Sequence, residues 1–381
     1  MTIRLRGITW NHTRGYLPMV ATAQRFAEIV PGFDVAWEKR HLKSFSEDPV
    51  EGLADGFDLL VVDHSSLGEV VERGLLIPLD EHLPKEFLDD QAKHSVGKSH
   101  ESYQWEDHQW ALAIDAAAPV SARRSVLLEQ SGLTAPKTWR ELINLARRGW
   151  VAVPGTPLDC LLNFYMLCSS LGEDPFSRGG NLVSHPVGVQ ALSLLRELMN
   201  LCPEVCYSWD PVTLFEAMAS HDNIGYCPFA IGYVNYSRNG YASYRLQFGD
   251  LVTLEEQGPL RSTLGGKGLA ISSRCQHLQE ALEYARFIAS PLCQRGLYFE
   301  SGGQPGHRKA WLDKTINLES LDFFQNTLAA LDRAYLRPRY KGYLQLERDA
   351  GLIVQEHLRA GGDATEVLNS LQGLYERSRV S

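Results

Sequence analysis

From Ile3 to Asp115 the apolar positions switch repeatedly between an alternating pattern and a helical one. Residues 3–9 alternate as a strand, and residues 17–30 repeat apolar side chains at helical spacing until Pro31-Gly32 breaks the run. Residues 33–39 alternate again. Residues 57–62, Phe-Asp-Leu-Leu-Val-Val, end in a continuous apolar run, the mark of a strand covered on both faces. A helix over 66–73 then ends at Gly74, and 75–80 is apolar once more. Strand and helix in alternation predict an α/β architecture with a mostly parallel, doubly wound sheet.

Beyond this region, residues 110–115 followed by 116–123 read as a strand pair that leaves one lobe and enters a second. Thr138 and Glu141 have the spacing of a capping box and start a helix that ends near Gly149. A short strand at 151–153 is followed by Pro154-Gly155-Thr156-Pro157, which opens another helix. Helices are expected near 186–201 and 211–219, with a β-rich stretch over 222–253. Then comes a distinctive order. Gly265-Gly266-Lys267-Gly268 leads into an apolar strand at 268–272, followed by an amphipathic helix over 277–289. Ser290-Pro291 starts a second helix, which ends at Ser301-Gly302-Gly303-Gln304-Pro305. The strand at 268–272 has a parallel-sheet pattern but no partner strand nearby in sequence, so it is expected to rejoin the first lobe. Residues 319–381 read as largely helical. The expected lobes are 1–112 plus 263–310, and 113–262 plus 311–381.

Composition narrows the function. A chain of 381 residues is long for one core, and a charged content of 22% with 44% hydrophobic residues is ordinary for a globular protein. Net charge is −9 without a basic stripe, which argues against nucleic-acid binding. No window approaches the roughly 18 apolar residues of a membrane-spanning helix. Residues 1–10 run directly into a strand pattern with no apolar leader, so the expectation is cytoplasmic on this sequence, or periplasmic if a signal peptide was removed. Seven cysteines, an odd number with several in apolar runs, read as buried reduced thiols in a monomer.

The Gly-Gly-x-Gly strand, helix, Ser-Pro helix and Gly-Gly-x-Pro order resembles the carbohydrate-type extracellular solute-binding proteins of ABC importers. Further landmarks of the resemblance are residues 10–15, Asp58 to His64, Trp110 to Asp115, the helix start at 136–142 and Asn223 to Tyr226. The resemblance implies a type II periplasmic-binding-protein fold, with two α/β lobes and a ligand in the cleft between them. It also implies a clamp that needs no chemistry and no cofactor, and an ABC permease as partner if the protein is exported.

Ligands of open α/β sheets gather beyond the carboxyl ends of strands. The loop after the first strand carries Trp10, His12 and Arg14. An indole suits a sugar face, and a guanidinium can fork onto a carboxylate. The plain alternative is packing for Trp10 and a surface ion pair for Arg14. Asp63 and His64 follow the doubly buried strand and could face a ligand or cap the next helix. Asp115 lies among the small residues Ala116 to Ala118, which permit ligand approach and hinge packing equally. Thr156 stands where free backbone N–H groups of a helix could meet an oxygen-rich ligand. Trp209 and Tyr226 offer aromatic faces, and Gly265 and Gly266 allow close backbone approach.

Signals for catalysis are few. The sequence holds no His-Glu-x-x-His, Gly-x-Ser-x-Gly or Cys-x-x-Cys, and none of its 12 histidines has zinc spacing. Gly266-Lys267 lacks the surroundings of a phosphate-binding loop. A cytoplasmic enzyme or ligand sensor on the same fold, with His12, Asp63, His64 and Asp115 meeting in one cleft, is the alternative reading, and a structural protein without a ligand ranks third.

Overall fold

A computed structural model describes residues 3–41, 51–177 and 179–380. The strands of the described residues are β1 (Ile3–Trp10), β2 (Phe33–Arg40), β3 (Leu59–Val62), the short pair β4 (Gln104–Trp105) and β5 (His108–Gln109), β6 (Leu112–Ala117), β7 (Pro119–Arg123), β8 (Tyr226–Ile231), β9 (Gln247–Gly249) and β10 (Gly265–Ile271). The chain divides into two compact units. Unit 1 comprises 1–117, 265–318 and 339–341; unit 2 comprises 118–264, 319–338 and 342–381.

Unit 1 is built on a five-stranded sheet in the order β2-β1-β3-β10-β6. β1 runs parallel to β2, from Ile3 opposite Phe33 to Trp10 opposite Arg40, and parallel to β3 at Gly7–Leu59. The β3 run is legible because both faces are covered. Leu59 and Val61 join Met19, Phe26 and Tyr284, from the helices Thr13–Ile29 and Leu278–Ala289, in one apolar cluster. Leu60 and Val62 join Leu67, Val70, Tyr103 and Trp110 in the other. The helix Thr13–Ile29 buries Met19, Ala23 and Phe26, spaced about one turn apart, and stops before Pro31 and the left-handed Gly32.

The direction of β10 differs from expectation. This strand pairs antiparallel with both β3 and β6, with Gly268 opposite Val62 and Gly265 opposite Ala117. Its pattern looks parallel because Leu269, Ala270 and Ile271 are fully buried. Two-sided burial, not strand direction, produces a continuous apolar run.

Unit 2 has a three-stranded antiparallel sheet, β8-β7-β9, with Pro119 opposite Ile231 and Ser121 opposite Gly249. Val151 bridges in parallel to Tyr226, so residues 151–153 lie alongside β8. The stretch 222–253 is less β-rich than its composition suggests. It holds β8, β9 and the short 3₁₀ turn Val234–Ser237 between them.

The helix Pro157–Ser170 is buried without interruption from Asp159 to Ser170, as befits a helix apolar on all sides. A β-carbon on Gly351, in the helix Tyr343–Ala360, would lie 2.7 Å from the Pro157 carbonyl oxygen, so only glycine permits this approach. Thr138 caps the helix Trp139–Arg147 by accepting from the Glu141 N–H at 3.2 Å. The Glu141 carboxylate reaches one residue further back than a standard capping box, accepting from the Lys137 N–H at 2.7 Å.

All seven cysteines are free thiols, and burial pushes the Cys293 thiol up to about 12 and Cys275 to about 11. Among the described residues no helix is long and apolar enough to cross a membrane.

Leu60 tests the two-sided burial of β3. Leu60→Ala should lower unfolding free energy by about 2–5 kcal/mol, read by urea denaturation. A loss within the range of an ordinary surface substitution would show that this layer is not closely packed.

Candidate functional site

In unit 1 the strand directions bring the ends of β1, β2, β3 and β6 and the start of β10 to one edge of the sheet. That edge collects Trp10, His12, Asp63, His64, Asp115, Gly265, Gly266 and Lys267. Two ion pairs organise it.

The first joins Arg14 to Asp115. Arg14 Nε donates to one carboxylate oxygen at 2.7 Å and Nη2 to the other at 2.5 Å. The side chains are 4% and 0% exposed, so the guanidinium fork is spent inside the unit. Both residues were expected to meet a ligand; here each is engaged by the other. Arg14 starts a helix beside the β1 end, and Asp115 lies near the end of β6. The pair therefore ties helix to sheet.

The second pair is more open. Lys267 Nζ donates to Asp63 Oδ2 at 2.5 Å, with side chains 14% and 18% exposed. Asp63 Oδ1 meanwhile accepts from the Ser65 N–H at 3.3 Å and caps the 3₁₀ turn His64–Ser66. Capping and ion pairing thus coexist on one carboxylate. His64 is fully buried, with its ring edge-on to Tyr103 at 6.4 Å between centroids. His12 is half-buried and caps the helix Thr13–Ile29, its Nδ1 accepting from the Arg14 N–H at 3.0 Å.

The tryptophan at this edge does not present a face. Trp10 is 2% exposed and belongs to the apolar cluster, and a β-carbon on Gly15 would overlap its indole. Gly266 has φ +104°, and a β-carbon there would overlap the Asp115 carbonyl oxygen, so its backbone fits closely against β6. Outside β6, Gln304 Nε2 donates to the Ala116 carbonyl at 2.8 Å, and the Gly306 N–H to the Ile114 carbonyl at 3.0 Å. The Gly-Gly-x-Pro segment is thereby fastened to the strand.

In unit 2 the expected residues gather around the start of the helix Pro157–Ser170. Thr156 caps it, and its hydroxyl donates to Asp159 Oδ2 at 2.5 Å. Asp159 is 8% exposed; burial, with a smaller push from Asp210, raises its carboxyl to about 7 despite the Thr156 hydrogen bond. The loop 203–210 lies alongside, with the Gly155 N–H donating to the Trp209 carbonyl at 3.1 Å. Gln355 braces both segments, donating to the carbonyls of Gly155 at 2.7 Å and Tyr207 at 3.0 Å. Trp209 is half-buried here, whereas Tyr226 is 2% exposed on β8 with its hydroxyl bonded to Ser121. Tyr226 packs within unit 2.

Sequence reasoning missed Lys267, Asp210 and Gln355 as members of these groups. A lysine at the glycine-led start of a doubly buried strand was a usable signal for the first. The braces from Gln355 depend on contacts far apart in sequence and left none.

No family model matches the sequence. The fold is that of two-lobed binding proteins. Maltose-bound MalE3 of T. maritima superposes with a TM-score of 0.85 at 16% identity, over 98% of this chain and 99% of that one. An ABC transporter solute-binding protein from Agrobacterium radiobacter K84, in complex with ribitol, gives 0.82 at 17% identity over 100% and 99%. A solute-binding protein from Thermotoga lettingae TMO, bound with α-D-tagatose, gives 0.82 at 18% identity over 99% and 100%.

Asp159 makes the protein's stability depend on pH. Its carboxyl is raised from an ordinary 3.8 to about 7, so the folded state holds the proton more tightly than the unfolded state does. This contribution to stability is fully present below about pH 4 and is lost as pH rises through about 7. Urea denaturation across that window should show Asp159→Asn flattening the fall seen in the parent protein. A variant with the parent's slope would assign that slope to other groups.

Proposed function

We propose that this protein is a solute-binding protein that closes two lobes around a small polyhydroxylated ligand, a sugar or polyol, and releases it unchanged. The observation that carries the proposal is the whole-length likeness in fold to structures holding maltose, ribitol and tagatose. The strand-end edge of unit 1 supports it independently. There a partly open carboxylate and ammonium, with a half-buried imidazole nearby, offer donors and acceptors suited to hydroxyl groups.

In this proposal Asp63, Lys267 and His12 hydrogen-bond the ligand from unit 1, with the backbone of Gly265 and Gly266 beside them. Thr156 and Trp209 contribute from unit 2, the indole supplying an apolar face. Trp10, His64, Arg14, Asp115 and Tyr226 hold the frame. The lobes are the two compact units, the working form is a monomer, and delivery to an ABC permease is the role we assign if the protein is exported.

The test begins with a thermal-shift screen of disaccharides, pentitols and ketohexoses, followed by calorimetry on any stabilising compound. Asp63→Ala should weaken binding by about 1–3 kcal/mol through a lost charge-assisted hydrogen bond and an unpaired partner. Unchanged affinity in a folded Asp63→Ala protein would remove that residue from the site. Conversion of the bound compound, followed by NMR, would instead support an enzyme on this fold.

A further inference from the structure

We propose that Asp90, His94 and His307 form a binding site for a divalent transition-metal ion of the zinc class, outside the strand-end edge of unit 1. One possible ligand atom from each of the three residues lies within 4.8 Å of the others. Asp90 Oδ1 is 2.9 Å from His94 Nδ1, and Asp90 Oδ2 is 3.2 Å from His307 Nε2. Ligand atoms around tetrahedral zinc, at about 2.0–2.1 Å from the ion, lie roughly 3.3 Å apart. The donors therefore need only small movements to surround an ion. Two imidazoles and a carboxylate are borderline donors that suit zinc, cobalt or nickel better than magnesium or calcium.

The placement is ordered. Asp90 lies in the helix Lys85–Lys93, and His94, one turn on, is its C-cap. His307 is held at the start of the helix Arg308–Trp311, with a side chain only 1% exposed. The two rings stack at 5.2 Å with planes 18° apart, and each places one nitrogen against the Asp90 carboxylate, so converging both lone pairs on an ion requires one ring to turn out of the stack. The Arg308 N–H donates to the His94 carbonyl at 2.7 Å and locks the two segments together. Asp90 and His94 are 35% and 21% exposed, which leaves room for water to complete the coordination shell.

Two costs accompany loading. Lys309 Nζ, 3.3 Å from Asp90 Oδ1, must withdraw, which its 46% exposure allows. Each imidazole keeps one proton, moved to the nitrogen facing away from the ion. For His307 this gives up the 3.3 Å bond that its Nδ1 accepts from the Lys309 N–H, and for His94 the 3.0 Å bond between its Nδ1 and the Asp90 carbonyl oxygen. Both partners are weak, so affinity in the micromolar range is expected. A bound ion would fasten the helix Lys85–Lys93 to the segment that packs on β6.

The test titrates the full chain, freed of metal by chelator, with Zn²⁺ by calorimetry and with Co²⁺ by visible absorption. One equivalent should bind, raise the melting temperature and give the absorption of nitrogen- and oxygen-coordinated Co²⁺. His94→Ala, Asp90→Asn and His307→Gln should each abolish these signals. Because His307 is buried and its variant could lose the fold, the half-exposed His94 decides the matter with its own melting curve as a folding control. Absence of binding by the parent protein, or undiminished binding by folded His94→Ala, overturns the site.

Discussion

The sheet of unit 1 depends on β10 filling the space between β3 and β6. The chain leaves this unit after Ala117 and returns to it only at Gly265. Without β10, β3 and β6 would each lack a neighbour and the apolar surfaces around Leu60 and Leu112 would face water. Closing so long a connection costs entropy, although that cost grows only logarithmically with length. Burial of Leu269, Ala270 and Ile271 and pairing along both strand edges offset it. Unit 1 is thus completed late along the chain, and its strand-end edge exists only once β10 has arrived. Gly265, Gly266 and Lys267 are brought to that edge by the same event.

Much of this was legible in the sequence. Four successive apolar residues at β3, flanked by polar and glycine positions, allow little other than a strand covered on both faces. Thr138 and Glu141 announced a helix start because capping acts over three residues, within the range that a sequence displays. The direction of β10 was not legible, since two-sided burial leaves the same run in parallel and antiparallel strands.

The contacts of the polar residues at the strand ends were less legible, for a related reason. Trp10 follows a strand and looks free to face a ligand, but the indole folds back over Gly15 into the apolar cluster. Arg14 and Asp115 each look available until they are found on one another, across 101 positions of chain. Asp90 and His94 have a spacing that a reader could notice, yet the third member, His307, is 213 positions beyond His94 and is brought in by the segment packed on β6. Pairings between distant polar residues leave no periodic trace, whereas apolar layers do.

The two ion pairs at the unit 1 edge differ in exposure. Arg14 and Asp115 are shut away from water, and removing one partner would strand a buried charge at a cost of about 3–5 kcal/mol. A ligand hydroxyl could not displace either partner without incurring much of that penalty. Asp63 and Lys267 are less deeply buried, with 18% and 14% of their side chains exposed. In the proposed function this pair is the one that shares its charges with ligand hydroxyls. Asp63 also retains its bond to the Ser65 N–H, which holds the carboxylate in place while Lys267 turns. A deeply buried inner pair beside a less buried outer pair is the arrangement on which the proposed binding of neutral, oxygen-rich molecules rests.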